Sequence, residues 1–491
     1  MGREAEIVSE RLKKIEEMKK KGINPYAYRF EKKDFCANLQ KEYKKLENEK
    51  FGKKTSVAGR IMSIRDLGKL IFAVLQDSTG TIQIVLQEKK TPEKQIELFK
   101  KFVDSGDFIG VNGKVYRTKR GELSVLAEDI EILTKSLKPL PEKFHGLQDK
   151  EERYRKRYLD LIMNPEIKET FEKREKIIDY IREFLKKRGF NEVETPTLQS
   201  LYGGAEARPF MTNLYSLNMK IYLSISPELY LKRLIVGGYE RVFTICKNFR
   251  NEGIDKLHNP EFTMLELYQS YADYKDMMEL TENLILSLLK ELHGKTKIEY
   301  QGKEIDFKAP FKRIKMLDVV KKTGANPEKL DAEKINEIFE EKIQPTLIQP
   351  TFVIDYPVEL CPLTKEHRKD KKLVERFELF VNGAELANAY TELNDPVEQE
   401  KRLKKQAENR KKAKDYDAHF EANIIDKDFV ESISYGMPPL GGIGVGIDRL
   451  VMLFTNQHSI RDVILFPFMK PENSEEGQNG LDKQKQDKGN N

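Results

Sequence analysis

Ile7, Val8, Leu12, Ile15 and Met18 recur at helical spacing through an opening stretch of alternating Lys and Glu. This predicts one amphipathic helix with a strongly basic far side, stopped by Gly22 and Pro25. From Thr55 to about Thr134 the period falls to two. Thr55–Met62, Leu70–Leu75 and Thr81–Leu86 alternate as strands, with Gly68 and Asp77-Ser78-Thr79-Gly80 as turns. A helical stretch from Glu93 to Phe102 precedes two further strands, around Ile109–Tyr116 and Leu123–Leu133.

Five strands with a helix between the third and fourth is the order of an OB-fold barrel, a fold that often binds single-stranded nucleic acid. After the Pro-rich segment Leu137-Lys138-Pro139-Leu140-Pro141 a longer mixed region begins. Its first helix carries Phe171, Ile177, Ile178, Ile181, Phe184 and Leu185 on one face, ends at Gly189 and leads into Asn191-Glu192-Val193-Glu194-Thr195-Pro196. Strands are expected around Ile221–Ile225 and Arg241–Phe249. The charged stretch Val397–Glu421 reads as a solvated helical insertion, and Glu472–Asn491 as a disordered tail. The expected class is α+β: a helical extension over 1–54, an OB barrel over 55–136, a linker over 137–150, a large domain over 151–471 with an antiparallel sheet flanked by helices, and the tail 472–491.

Composition removes several function classes. Charged residues make up 34% with a net charge of only +6, so a nucleic-acid partner is permitted rather than demanded. Cys36, Cys246 and Cys361 lie far apart and the six histidines are scattered, which argues against disulfide frameworks and zinc sites and for a reducing compartment. No apolar run reaches membrane-spanning length, the N-terminus is charged where a signal peptide needs an apolar core, and Glu6 spoils a myristoylation signal. The expectation is a soluble cytoplasmic protein with no membrane association.

Two arginines then point to an anion. Arg250 closes Phe249-Arg250-Asn251-Glu252-Gly253, and Arg449 closes Gly441-Gly442-Ile443-Gly444-Val445-Gly446-Ile447-Asp448-Arg449. A guanidinium ending an apolar or glycine-rich stretch is costly without an anionic partner, and a nucleotide is the obvious candidate. The glycine run lacks the third glycine of a dinucleotide fingerprint and the Gly-Lys-Ser/Thr ending of a P-loop. What remains is backbone able to lie flat against a ligand, entering the apolar helix Leu450–Phe454.

The helix ending at Pro196, the Phe249-to-Glu252 loop and the Gly441-to-Arg449 run resemble motifs 1, 2 and 3 of class II aminoacyl-tRNA synthetases. The preceding barrel resembles the anticodon-binding domain of the lysine, aspartate and asparagine subgroup. Gly203–Phe210, Pro227–Leu234, His258–Thr263 and Glu392-Leu393-Asn394-Asp395-Pro396 resemble the lysine-specific members, and the likeness runs from about Arg11 to Pro471. It implies a six-stranded antiparallel catalytic sheet, a homodimer built around the motif 1 helix, ATP as substrate with Mg2+, and the partners L-lysine and tRNA(Lys).

By that resemblance Arg250 bridges the lysine carboxylate and the α-phosphate, and Arg449 holds the terminal phosphate. Glu252, His258 and Asn259 shape the loop over ATP, Phe262 stacks on adenine, and Glu378 and Glu385 bind magnesium. Glu392 and Tyr268 hold the ε-ammonium, Glu228 and the Gly204 backbone the α-amino group, with Asn388 on the carboxylate side and Glu266 as an acidic wall. Activation of this kind is mostly positioning and charge stabilisation, so these residue types suit it. Arg65, Phe72, Gln83 and Glu122 fall on anticodon-reading positions; for Phe72 barrel core is the competing reading, and for Tyr268 core packing. In the family a His-Asn pair stands at Leu214-Tyr215, an arginine at Ser224 and a glutamate at Thr244. Loss of both charges together predicts that Ser224 and Thr244 face each other across adjacent strands. Competing functions are an aspartate or asparagine enzyme, which would need a cationic pocket, a non-catalytic RNA-binding paralogue, which would lose Arg250, Glu385 or Arg449, and a protein-lysylating relative, which would lack the barrel.

Overall fold

The two-residue period of the first third of the chain closes on itself. In the computed structural model, which describes residues 2–141, 147–412 and 425–472, the chain forms two compact units, Met1–Gln148 and Asp149–Asn491. The first holds a closed barrel of β1 (Phe51–Asp66), β2 (Leu70–Gln76), β3 (Thr81–Gln87), β4 (Phe108–Arg117) and β5 (Leu123–Thr134), in the order β1-β2-β3-β5-β4. Helix Glu93–Phe102 lies between β3 and β4 in sequence. Along β2 the alternation is strict: Ile71, Ala73 and Leu75 point into the core, while Phe72, Val74 and Gln76 are half-buried on the outside. Phe72 is therefore not barrel core.

The N-terminal extension is not a unit of its own. Helix Arg3–Lys20 sends Met18 into the barrel core, and a second helix, Cys36–Glu42, which the hydrophobic pattern did not announce, adds Cys36 and Leu39 to it. Leu12 of the expected apolar face stays 46% exposed, whereas Arg11 on the supposedly basic side is buried. Its guanidinium donates to the carbonyls of Ser105, Ser136 and Lys138, which explains how a charge survives there.

The second unit holds thirteen strands among the described residues, eight of them in one main sheet. Its strands are β6 (Asn191–Glu192), β7 (Leu198–Gln199), β8 (Met211–Leu214), β9 (Met219–Leu223), β10 (Arg241–Phe249), β11 (Glu261–Ser270), β12 (Lys297–Tyr300), β13 (Lys303–Asp306), β14 (Lys312–Lys315), β15 (Thr351–Pro357), β16 (Leu373–Val381), β17 (Ala384–Thr391) and β18 (Leu440–Gly446). The main sheet runs β14-β15-β16-β17-β18-β11-β10-β6. Its six central strands are antiparallel as expected, but β14 and β6 pair in parallel at the two edges, so the sheet is wider than the six predicted. Odd-numbered positions Phe243, Leu265, Leu267, Phe377, Ala387, Ile443 and Val445 form one core with Ile177, Ile181 and Leu185 of helix Ile167–Lys186 and Met277, Ile285 and Leu288 of helix Tyr274–His293. The even-numbered face is left for other work.

Three expectations need correction or limits. Ser224 and Thr244 are both buried but are not cross-strand neighbours. The chain leaves β9 at Leu223, so the Ser224 carbonyl meets Phe249 N–H at the end of β10 (2.9 Å), while Thr244 registers with Glu266. Gln199 donates to Ser224 Oγ (3.1 Å), whose own acceptors are Ser226 O and Asn248 Oδ1. The charged insertion begins as helix Pro396–Lys412, which is not simply solvated: Gln399 is fully buried and Arg402 donates to Thr364 O (2.8 Å). Residues 413–421 of that insertion and 473–491 of the expected tail lie outside the described residues, and Glu472 pairs with Arg155 at 3.4 Å. Among the described residues no helix is long and apolar enough to cross a membrane.

Gly113 sits at a register shift between β4 and β5, where a Cβ would collide with the Leu126 carbonyl oxygen. Overpacking against backbone costs about 1–3 kcal/mol. Gly113→Val should therefore speed amide exchange in β4 and β5 specifically, as read by hydrogen exchange; unchanged protection would show that the strands separate freely there.

Candidate active site

Strand β18 makes the floor of the site by lacking side chains. Across the even-numbered face, Glu266, Gly444 and Asn388 are in register, as are Tyr268, Gly442 and Tyr390. The G-x-G-x-G spacing is thus a strand alternation, with every cavity-facing position glycine and Ile443 and Val445 turned into the core. A Cβ at Gly442 would collide with Glu392 Oε1 and the Tyr268 ring. Side chains from β11 and β17 converge over this bare strand to line a cavity of ≈ 850 Å³.

One end is acidic. Glu228, Glu266 and Glu392 are all buried, with Tyr268 2% exposed between them. Tyr268 OH donates to Glu266 Oε1 (2.8 Å), and Ser226 Oγ reaches Glu266 Oε2 at 3.3 Å. Lys232, four residues after Glu228 on helix Glu228–Val236, is fully buried with Nζ 2.5 Å from Glu228 Oε1 and 2.6 Å from Glu392 Oε2. Glu392 Oε1 is left without a hydrogen-bond partner. Gly204 lies against this end with φ +82°, where a Cβ would press on Glu228 and Ser226. Burial pushes the Glu266 and Glu392 carboxyls up to about 8, with the Glu228 charge adding to the rise. The same acids hold Lys232 above the ordinary lysine value against its own desolvation. Three carboxyls face one ammonium, so the shortage of positive charge falls on the acids.

The other end is cationic. Arg250 Nε is buried without a partner, and the guanidinium lies 5.1 Å from the Phe262 ring centre, held only by a 3.5 Å contact to Ile225 O. Arg449 donates to Glu385 O (2.9 Å) and lies 3.0 Å from His258 Nε2, whose Nδ1 faces Asp255. Asn259 is buried, donates to Glu261 O and leaves its own Oδ1 unpartnered. Glu252 is exposed, with Oε1 3.4 Å from Arg208 N. An orphaned buried donor beside an aromatic ring and a second, partly exposed arginine can hold an anion with a planar group attached.

Between the ends lie Glu378 and Glu385 on neighbouring strands β16 and β17. Glu378 is not without partners, as an isolated carboxylate in its apolar run would be. Tyr356 OH donates to Oε2 (2.8 Å) and Arg376 pairs with Oε1, while Arg376 Nε also donates to Asn388 Oδ1 (3.2 Å). Among the described residues no cluster of three metal-ligating side chains exists. Two hard carboxylates fit Mg2+, which takes its remaining oxygens from phosphate and water.

In the first unit, Arg65 registers with Phe72 on β1 and β2, and Phe72 with Val85 on β3. Gln83, two positions from Val85 and so on the same face, accepts from Ser124 Oγ (2.9 Å), and Glu122 is exposed just before β5. The outer face thus presents a cation, an aromatic ring and an amide together.

Lys232, Arg376, Tyr390 and Asp448 escaped the sequence reading as site residues. Lys232 stands four residues after Glu228 on a helix, a spacing that marks an ion pair but usually a surface one. Arg376 stands two before Glu378 on a strand, so it shares that face.

Residues 149–470 match the family of class II tRNA synthetases (D, K and N), and residues 55–133 match an OB-fold nucleic acid binding domain. The chain is similar to the lysine–tRNA ligase of Pelotomaculum thermopropionicum, at 52% identity covering 95% of both chains. That of Thermotoga maritima is 47% identical over 96% of this chain and 97% of its own, and that of Methanoculleus marisnigri 46% over 96% of each.

The raised carboxyls have a stability signature. The folded protein retains protons on Glu266 and Glu392 that the unfolded chain releases near 4.5, so these groups lower stability as pH rises from about 4.5 to about 8, with no further loss above. Glu392→Gln removes one of them. The stability difference, variant minus wild type, should grow across that window in urea unfolding at successive pH values; a pH-independent difference would mean that Glu392 is ionised throughout.

Proposed function

Because the chain belongs to the class II tRNA synthetases and, within them, to the lysine–tRNA ligase family, we propose that its cavity takes lysine at the acidic end and ATP at the arginine end. The chain activates lysine and transfers it to tRNA. The observation that carries the residue assignment is a charge balance. Lys232 neutralises one of three buried carboxyls, leaving two uncompensated, and lysine brings two ammonium groups. Aspartate or asparagine would bring only the α-ammonium and leave one carboxyl uncompensated.

In this reading Glu228 and the Gly204 carbonyl take the α-ammonium, Glu392 and Tyr268 take the ε-ammonium, and Glu266 closes the wall. The lysine carboxylate then points toward Arg250 and Asn388. Its oxygen attacks the α-phosphorus of ATP, the bond to the bridging oxygen of pyrophosphate breaks in line, and lysyl-adenylate forms. Arg250, with its unpartnered Nε, stabilises charge shared between the carboxylate and the α-phosphate. Phe262 stacks on adenine, Arg449 and His258 hold the terminal phosphate, and Glu252 and Asn259 order the loop above them. The terminal ribose hydroxyl of tRNA then displaces AMP. The family works with ATP and Mg2+; Glu378 and Glu385 are the residues that would hold the ion, which neutralises phosphate charge when bound. We assign the barrel unit to tRNA recognition, with Phe72 stacking on an anticodon base and Arg65, Gln83 and Glu122 beside it. Family membership also supports a homodimer, which sedimentation velocity on the full chain tests.

An amino-acid-dependent ATP–pyrophosphate exchange assay across the twenty amino acids tests the assignment, lysine alone being expected to support exchange. Truncating one partner of a buried charge pair costs about 2–5 kcal/mol, so Glu392→Gln should lower kcat/KM for lysine by roughly 30- to 5,000-fold with the KM for ATP little changed. Wild-type lysine efficiency in that variant would remove Glu392 from the site. Phe72→Ala should weaken tRNA charging by about 1–3 kcal/mol while lysine-dependent exchange is unchanged. Equal loss in both half-reactions would mean that Phe72 supports the fold rather than a base.

A further inference from the structure

We propose that Lys232, an ammonium buried behind the acidic end of the cavity between Glu228 and Glu392, is a positioning residue that sets lysine affinity by orienting those two carboxyls and supplying positive charge beside them. The inference rests on the reading of the cavity as a lysine site and names a group that does not touch the substrate. Helix Glu228–Val236 buries Leu229, Leu231 and Ile235 alongside it, so an apolar side chain would suit position 232 by packing alone. A fully buried ammonium is instead expensive unless its partners need it.

The partners come from different elements. Glu228 Oε1 lies one helical turn back on the same helix, and Glu392 Oε2 belongs to the segment after β17, so one Nζ ties two separate parts of the pocket wall together. Among the described residues, the titratable groups at this end are Glu228 from its own helix, Glu266 and Tyr268 from β11, with the Tyr268 ring centre 5.8 Å from Nζ, and Tyr390 and Glu392 from β17 and its continuation. Among the described residues no second cation forms an ion pair with Glu228, Glu266 or Glu392. Lys232 also leaves its acids available. The ammonium engages Glu392 through Oε2 and leaves Oε1 without a partner, so that oxygen remains open to an incoming donor.

Removing the ammonium would leave three buried carboxyls with no cation among them. The Glu392 carboxyl, raised to about 8 even with the ammonium beside it, would hold its proton to higher pH still. Lysine would then have to expel that proton in order to bind, and its affinity would rise with pH. A residue that merely fills space would give no such dependence.

The test is lysine-dependent ATP–pyrophosphate exchange by the full chain between pH 6 and 9, comparing wild type with Lys232→Gln, which keeps an amide donor and loses the charge. The variant should raise the KM for lysine by about 100-fold or more at pH 7, with the KM for ATP within about threefold, and the lysine KM should fall toward pH 9 more steeply than in wild type. A lysine KM near wild type at every pH overturns the proposal. So does a pH-independent rise, or a parallel rise in both KM values. If Lys232→Gln does not fold, Lys232→Met/Glu228→Gln removes one charge of each sign and preserves the excess of acid. Its lysine KM should be raised with a pH dependence like that of wild type, and a steeper dependence overturns the proposal equally. Failure of the underlying lysine-site reading is seen separately, as absence of lysine-dependent exchange in the wild-type chain.

Discussion

Everything at the site depends on a strand with nothing on one of its faces. Because Gly442, Gly444 and Gly446 carry no Cβ, the side chains of β11 and β17 lean together over β18 without obstruction, and Glu392 and Tyr268 occupy space that an alanine at 442 would take. The same strand turns Ile443 and Val445 the other way, into the helix-covered core. A central position in an antiparallel sheet supplies the hydrogen bonds that make up for what glycine lacks in strand propensity. Period-two alternation therefore does two jobs with one strand: it anchors the sheet below and clears the cavity above.

That clearance makes strong electrostatics unavoidable. Acids gathered over a bare strand lose water, and their carboxyls rise until a cation arrives. At the far end Arg250 is held by little more than a carbonyl at 3.5 Å, and its Nε is unpartnered. Both ends are thus incomplete in opposite senses, the charge pattern that the proposed amino acid with its extra ammonium and a polyphosphate would complete together. Between them Arg376 donates to Asn388 and pairs with Glu378, so the residue on the carboxylate side and a magnesium-binding candidate share one guanidinium. The contrast with Arg250 is instructive: of two half-buried arginines a few strands apart, one is satisfied by carboxylate and amide partners and the other has an unpartnered Nε.

The legibility of these features in the sequence followed their locality. Barrel strands, the helix between the third and fourth, and the helix Ile167–Lys186 declare themselves through period, because each buries one face. Helix Cys36–Glu42 is too short for a period to register, and it exists because Cys36 and Leu39 pack on the barrel. The edge strands Asn191–Glu192 and Lys312–Lys315 are likewise products of tertiary pairing. Gly442, Gly444 and Gly446 could have been read as one face of a strand from their spacing alone, but glycine-rich runs are more often weighed as phosphate loops. Lys232 was hidden for a different reason: nothing in a Glu-x-x-x-Lys helix pair tells whether it faces water or the protein interior. The expected pairing of Ser224 with Thr244 failed because parity along β10 was right but the partner strand was not, the chain having left β9 one residue earlier.

Rigidity at the phosphate end comes from the residue beside the one that reaches into the cavity. Asp448 is 2% exposed; it accepts from Thr263 N–H at 2.6 Å and pairs with Arg174 of helix Ile167–Lys186 at 2.6 Å. Those two bonds fix the start of helix Ile447–Phe454 against helix Ile167–Lys186 and the beginning of β11, just after the loop that carries His258 and Asn259. Arg449 is the next residue in that first helical turn, so with Asp448 anchored inward its guanidinium is turned out toward Glu385 and His258. Charge inversion between adjacent helix positions is what separates their tasks. The aspartate is placed where the helix N-terminus favours an anion, and it secures the frame. The arginine, kept free of that frame, retains the reach to follow a phosphate.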